Sequence, residues 1–109
     1  MANHTAEIRR LNDALRTTFQ GGKIMMTAGV RALGEQLTAK ALIRMREFDG
    51  FNADNDPHRE HDFGAFEVDG NQFFFKIDYY DLRIEGGSED ASDPARTTRV
   101  LTLMLASEY

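Results

Sequence analysis

The 109-residue chain has no cysteine, and none of its apolar runs approaches the roughly 20 residues that a membrane-spanning helix requires. Without cysteine there is no disulfide framework and no thiolate metal site. Without a long apolar run, no transmembrane helix is expected. The opening Met1-Ala2-Asn3-His4-Thr5 lacks the basic-then-apolar pattern of a secretion signal, so a cytoplasmic location is expected. No serine stands out as a nucleophile. Gly86-Gly87 is not followed by Lys and Ser or Thr, so the phosphate-cradling loop motif is missing. There is no internal repeat and no low-complexity segment, and the length fits one domain, residues 1–109, around one modest core.

The net charge of -5 conceals an asymmetry. Residues 1–53 carry eight Lys or Arg against five Asp or Glu, whereas residues 54–109 carry five against thirteen. Clustered charge of one sign raises the local concentration of the opposite sign. The acidic half therefore suits a basic partner or a cation and disfavours nucleic acid, whose phosphates it repels. Arg9, Arg10, Asp13 and Arg16 are expected on the outer face of an N-terminal helix. Three arginines without interleaved aromatics make a weak signal for nucleic acid.

Thr5 is expected to cap that helix, with Ile8, Leu11, Leu15 and Phe19 as its apolar stripe and Gly21-Gly22 as its stop. Lys23-Ile24-Met25-Met26-Thr27 reads as a short buried strand, with Thr27 also placed to cap the next segment. Met25, Met26 and Met45 are expected as adaptable core fillers. Val30, Leu33, Leu37, Leu42, Met45 and Phe48 mark a helical region divided near Gly34 and ending near Asp49-Gly50.

From Phe63 the period changes to two. A hairpin turning at Asp69-Gly70-Asn71 places Phe66, Val68, Phe73, Phe75, Ile77 and Tyr79 on one face. Ala65, Glu67, Phe74, Lys76, Asp78 and Tyr80 fall on the other, a mixed face that is either partly covered or a binding surface. Leu82-Arg83-Ile84-Glu85 can add a strand, and 86–92 is a loop. Asp93-Pro94 is expected to open a last helix through Val100, Leu101, Met104 and Leu105. This order predicts an α+β fold: a small, mainly antiparallel sheet packed by N-terminal, central and C-terminal helices.

Chemistry concentrates in residues 54–62, which hold Asp54, Asp56, His58, Glu60, His61 and Asp62. His58, His61 and Asp62 supply the donor types of a zinc, iron or manganese site, because imidazole and carboxylate suit those ions. The zincin spacing is absent, and the calcium-loop reading of Asp54-Asn55-Asp56 fails because Arg59 stands where glycine is needed. A second possibility is acid/base chemistry, with His61 and Asp62 near Asp78, Tyr79 and Tyr80 at the far end of the hairpin. The structural alternative is that these acids cap turns, that Tyr79 is core and that Tyr80 lies at its rim.

The run Asp54-Asn55-Asp56-Pro57-His58, Glu60-His61-Asp62-Phe63-Gly64-Ala65-Phe66, Lys76-Ile77-Asp78-Tyr79-Tyr80-Asp81 and Thr98-Arg99-Val100-Leu101-Thr102 with Met104-Leu105 resembles a family of small alphaproteobacterial proteins. That family is known as domain of unknown function 3768, and the resemblance extends from Leu11-Asn12-Asp13 to Glu108-Tyr109. It implies an accessory role, often on plasmids and other mobile elements, and carries over neither an activity nor catalytic residues.

The leading expectation is a non-enzymatic module without cofactor. It would engage a protein partner, a basic one, through Asp54, Asp56, His58, Glu60, His61 and Asp62 together with Glu67, Phe74, Lys76, Asp78 and Tyr80. On a mobile element, such an acidic surface could imitate phosphate towards a DNA-processing or defence protein. The rival is a metal-dependent or acid/base enzyme centred on His58, His61 and Asp62. A homodimer through the hairpin edge or the mixed face is compatible with both.

Overall fold

The structure, a computed structural model, describes residues 4–109. Helix α1 (His4–Thr18) leads into strand β1 (Lys23–Met26), the short helix α2 (Ala28–Arg31) and helix α3 (Glu35–Glu47). Strands β2 (Phe63–Val68), β3 (Asn71–Tyr80) and β4 (Thr98–Leu105) come next, and a single 3-10 turn spans Ala106–Glu108. The sheet order is β1-β4-β3-β2, with β2, β3 and β4 antiparallel and β1 parallel to β4. The fold is therefore α+β, built on a four-stranded, mainly antiparallel sheet.

The hairpin turns on two residues, Asp69 (φ 50°) and Gly70 (φ 83°), between the paired Val68 and Asn71. Two successive left-handed residues match the twist of the flanking strands, which is why Asp-Gly closes such a turn. The register then sends Phe66, Phe73, Phe75 and Ile77 to the core face, where Leu101 and Leu103 of β4 join them. Leu15 of α1, Val30 of α2, and Ala41 and Met45 of α3 complete the same cluster.

Gly64 sits under this packing. A Cβ there would lie 2.3 Å from the Phe75 ring and 2.9 Å from the Phe48 ring. Both rings are already fixed by edge-on contacts, Phe48 to Phe75 at 5.4 Å and Phe51 to Phe75 at 6.2 Å between centroids.

Several sequence expectations are corrected. The segment after Asp93-Pro94 forms turns and then strand β4, not a helix. Val100, Leu101, Met104 and Leu105 satisfy a helical spacing, and the strand divides them instead, Leu101 and Leu105 to the core face and Val100 and Met104 to the other. β4 lies between β1 and β3, where its backbone pairs on both sides, and that pairing decides the outcome. Residues 82–85 form a turn instead of a strand, and the chain rejoins the sheet only at an isolated Tyr80–Gly87 bridge.

Thr5, expected to cap α1, lies inside the helix. Thr27 does cap α2, its hydroxyl accepting from the Val30 amide at 3.4 Å. Met45 is core, but Met25 is 48% exposed because it points to the sheet face opposite the helices.

Arg16, expected on the outer face of α1, is only 4% exposed. Its Nη1 donates to the carbonyls of Met45, Arg46 and Phe48 at 3.1, 3.1 and 2.9 Å. These groups lie at the C-terminus of α3, where carbonyls lack helical partners and a cation is favoured. The guanidinium also lies over the rings of Phe51 and Phe75, at 5.3 and 5.8 Å.

Candidate protein-binding surface

The histidine-containing loop divides into an inward half and an outward half. Asp56 is 4% exposed, and its Oδ1 accepts the amides of Glu60 and His61 at 3.0 and 3.1 Å. These bonds hold Arg59 (φ 59°) and His61 (φ 57°) in the left-handed region. The His61 ring stacks on Phe51 at 3.8 Å with its plane 3° from parallel. Its Nδ1 lies 2.8 Å from Asp13 Oδ1, and its Nε2 3.7 Å from Asp56 Oδ2. Asp54 and His58 face solvent.

Glu60 also turns inward. The Tyr79 hydroxyl donates to Glu60 Oε1 at 2.7 Å, while Asn12 Nδ2 donates to that hydroxyl at 2.8 Å and to the Glu60 carbonyl at 3.0 Å. Burial, together with the bond to Glu60, pushes the Tyr79 phenol well above its usual range, so it stays protonated at neutral pH. Asp62 is half-buried at the mouth of β2, and desolvation raises its carboxyl, with Glu60 and Asp56 adding to the effect.

Of the loop residues marked by the sequence, Asp56, Glu60 and His61 are thus brought together against α1, whereas His58 stays outside. Among the described residues, no three His, Asp or Glu side chains are grouped to hold a metal ion. His61 is paired with Asp13 and Asp56 rather than with Asp62. A cleft of about 400 Å³ opens beside it, lined by Arg9, Phe51, Asp56, Pro57, Arg59 and His61.

The mixed hairpin face has a different character. Phe63, Ala65, Glu67, Phe74, Lys76, Asp78 and Tyr80 share it with Lys23 and Met25 of β1 and Val100, Thr102 and Met104 of β4. The helices supply their buried residues to the other face. On this face, Lys76 pairs with Asp78 at 2.9 Å, a bond that raises the lysine pKa, and Gln72 donates to Glu67 at 2.6 Å. One end is covered by the C-terminal turn. Tyr109 approaches Phe74 and Phe63 edge-on, at 5.5 and 6.0 Å.

Glu108 anchors that turn by accepting from Thr27 Oγ1 at 2.6 Å, the Leu105 amide at 2.8 Å and the Gly29 amide at 3.2 Å. The other end is bare. There Lys23, Met25, Tyr80, Ile84, Val100 and Thr102 line a groove of about 650 Å³.

Of the residues marked by the sequence, only Tyr80 lies in that groove. Met25, Ile84, Val100 and Thr102 were missed. For Val100 and Thr102 the signal is the alternation Thr98-Val100-Thr102-Met104 against Arg99-Leu101-Leu103-Leu105, which a helical reading conceals.

This architecture is that of an open-faced α+β sandwich, with a helical layer on one face of the sheet and a largely uncovered second face. Residues 26–108 match the family described as protein of unknown function (DUF3768), and the chain belongs to that family. No curated protein and no solved structure matches it. None of its helices is long and apolar enough to cross a membrane, among the described residues.

Proposed function

We propose that this chain is a protein-interaction module and that its docking surface is the bare end of the open sheet face. The observation that carries this reading is the groove itself. Met25 is 48% exposed and Ile84 44% exposed beside Tyr80, Val100 and Thr102. Apolar side chains gathered in one exposed patch cost solvation that a partner would recover. Ile84 is also held at φ 58°, which is unfavourable for a β-branched residue and fixes its side chain at the groove.

The partner that fits presents apolar side chains with basic ones around them. Half of the lining residues come from the part of the chain with thirteen acids against five bases, and Glu85 follows Ile84 directly in sequence. Charge complementarity of this kind speeds encounter and selects against acidic partners. In a mobile-element setting, a basic DNA-processing protein has the required character.

The test is capture of a partner from a host lysate, then binding of the two purified proteins. Met25→Asp and Ile84→Asp are both at exposed positions and should leave folding intact. Each should weaken the complex by roughly tenfold or more, and the wild-type affinity should fall as salt rises. Unchanged affinity in both variants overturns the reading. A dimer of this chain that dissociates on Met25→Asp would instead give the face to a second copy.

A further inference from the structure

The hydrogen-bond phase of the hairpin leaves a usable row of backbone groups on β2. Ile77 donates to the Asp62 carbonyl at 2.8 Å, which makes Asp62–Ile77 a bonded pair. In an antiparallel ladder, bonded and non-bonded pairs alternate. Gly64–Phe75, Phe66–Phe73 and Val68–Asn71 are therefore bonded too. The N–H and C=O groups of Phe63, Ala65 and Glu67 point away from β3 and receive no hydrogen bond from any described residue.

Such an edge is normally blunted by proline, lysine, a bulge or extreme shortness. β1, at the opposite border of the sheet, is only four residues long and begins with Lys23. β2 runs for six residues, Phe-Gly-Ala-Phe-Glu-Val, without proline, lysine or a bulge, and Glu67 is its one charge.

The space beside the edge is open. A groove of about 740 Å³ runs between β2 and the end of α3, lined by Arg44, Glu47, Phe48, Asp49, Gly50, Ala65, Phe66 and Glu67. Two carboxylates, those of Glu47 and Asp49, are gathered with the Arg44 guanidinium among its lining residues. Among the described residues, the side chains of Glu47, Asp49 and Arg44 find no ion-pair or hydrogen-bond partner.

We infer that β2 accepts an extended segment of a partner protein as a fifth strand, and that the segment carries basic side chains toward Glu47 and Asp49. Main-chain bonds to Phe63, Ala65 and Glu67 supply the affinity that strand addition gives, and the flanking carboxylates select the sequence. A second copy of this chain is disfavoured as the occupant. It would bring the same excess of carboxylates to the same place, on molecules of net charge -5. The β2 edge and the open-face groove lie on opposite borders of the sheet, so docking at one is independent of docking at the other.

The probe is a blocked synthetic peptide of about six residues, the usual strand length, alternating valine with lysine. An alternating valine–glutamate peptide serves as the control. Backbone amide spectra and hydrogen exchange of the full chain report the binding. The basic peptide should shift and slow the amides of Phe63, Ala65 and Glu67, and the acidic peptide should not.

Glu47→Lys with Asp49→Lys, both on exposed positions, should weaken the basic peptide by roughly tenfold. Ala65→Pro removes one edge donor and should abolish the protection, provided its thermal melt remains cooperative. Perturbation elsewhere than β2, equal binding of the two peptides, or a dimer through β2 overturns the inference. Met25→Asp, which tests the open face, should leave this binding unchanged.

Discussion

Arg99 donates through Nε to Asn12 Oδ1 at 2.6 Å, a bond that joins the last strand to the first helix across 87 residues of sequence. Both residues are buried: Arg99 is 2% exposed and Asn12 is fully enclosed. The Arg99 guanidinium also donates to the Ala91 carbonyl and lies 5.1 Å from the centre of the Tyr79 ring. Asn12 meanwhile donates to Tyr79 and to the Glu60 carbonyl. The buried cation is thus connected through Asn12 and Tyr79 to the Glu60 carboxylate, and four elements share one polar network.

The network should fail asymmetrically when cut. Asn12→Ala leaves the Arg99 Nε and the Glu60 carbonyl without their partner in a dry site, which costs about 2–3 kcal/mol. Tyr79→Phe removes one hydroxyl and keeps the ring over Arg99, so its cost is smaller, about 1–2 kcal/mol. Urea denaturation of the two variants checks both the size and the order. Equal stabilities would mean that Asn12 is not the hub.

Gly64 offers a test of packing alone. Gly64→Ala places a methyl group against Phe75 and Phe48, both pinned by their aromatic neighbours, so the rings cannot withdraw freely. Overpacking of this kind costs about 1–3 kcal/mol. Shortening the opposing ring with Phe48→Leu in the same chain should recover part of the loss. If the double variant is no better than the sum of the single ones, the clash is with Phe75 alone.

Arg16 is a helix cap contributed by a different helix. Arg16→Met fills similar volume but leaves the Arg46 and Phe48 carbonyls without their donor, the Met45 carbonyl with the Phe48 amide alone, and the Asp13 carboxylate without its 3.2 Å contact. A loss of about 2 kcal/mol is expected, with faster amide exchange confined to residues 44–50. Arg16→Lys should recover only part of it, because a single ammonium cannot reproduce the fork of the guanidinium.

Part of the fold was legible in the sequence wherever local signals agree with tertiary demands. The hairpin faces were readable because apolar residues recur at every second position from Phe66 to Tyr79 and Asp69-Gly70 supplies the turn that the strand twist requires. The break at Gly34 and the cap at Thr27 were readable for similar local reasons. β4 was not, because Val100-Leu101 and Met104-Leu105 also fit a helical spacing and only the pairing with β1 and β3 decides between the two. Arg16 and Glu60 look like surface charges in any local window. Only the packing of α1 against the end of α3, and of Tyr79 against the loop, turns them inward. The bare groove was hidden for the same reason as β4, since it draws on β1, β4 and the 82–86 turn at once.

Two carboxylates set opposite pH dependences, and the pair gives an internal control. The Asp62 carboxyl is raised above its ordinary 3.8, chiefly by desolvation. The native state therefore holds this proton more tightly than the unfolded chain, and the contribution of Asp62 to stability grows as pH falls from the folded pKa toward 3.8. At neutral pH the buried charge is a cost. Asp62→Asn should raise the melting temperature at pH 7, by up to about 0.5 kcal/mol in stability, and that advantage should vanish near pH 3.

Glu108 behaves inversely. The hydroxyl of Thr27, then the amides of Leu105 and Gly29, hold its carboxyl below the ordinary 4.5. Its contribution is complete above 4.5 and is lost as pH falls through the folded value. Glu108→Gln should melt below wild type at pH 7, with the gap closing on acidification. Melting curves of the three proteins from pH 7 to pH 3 decide the matter. Two gaps that stay constant with pH would show that neither carboxylate is coupled to folding.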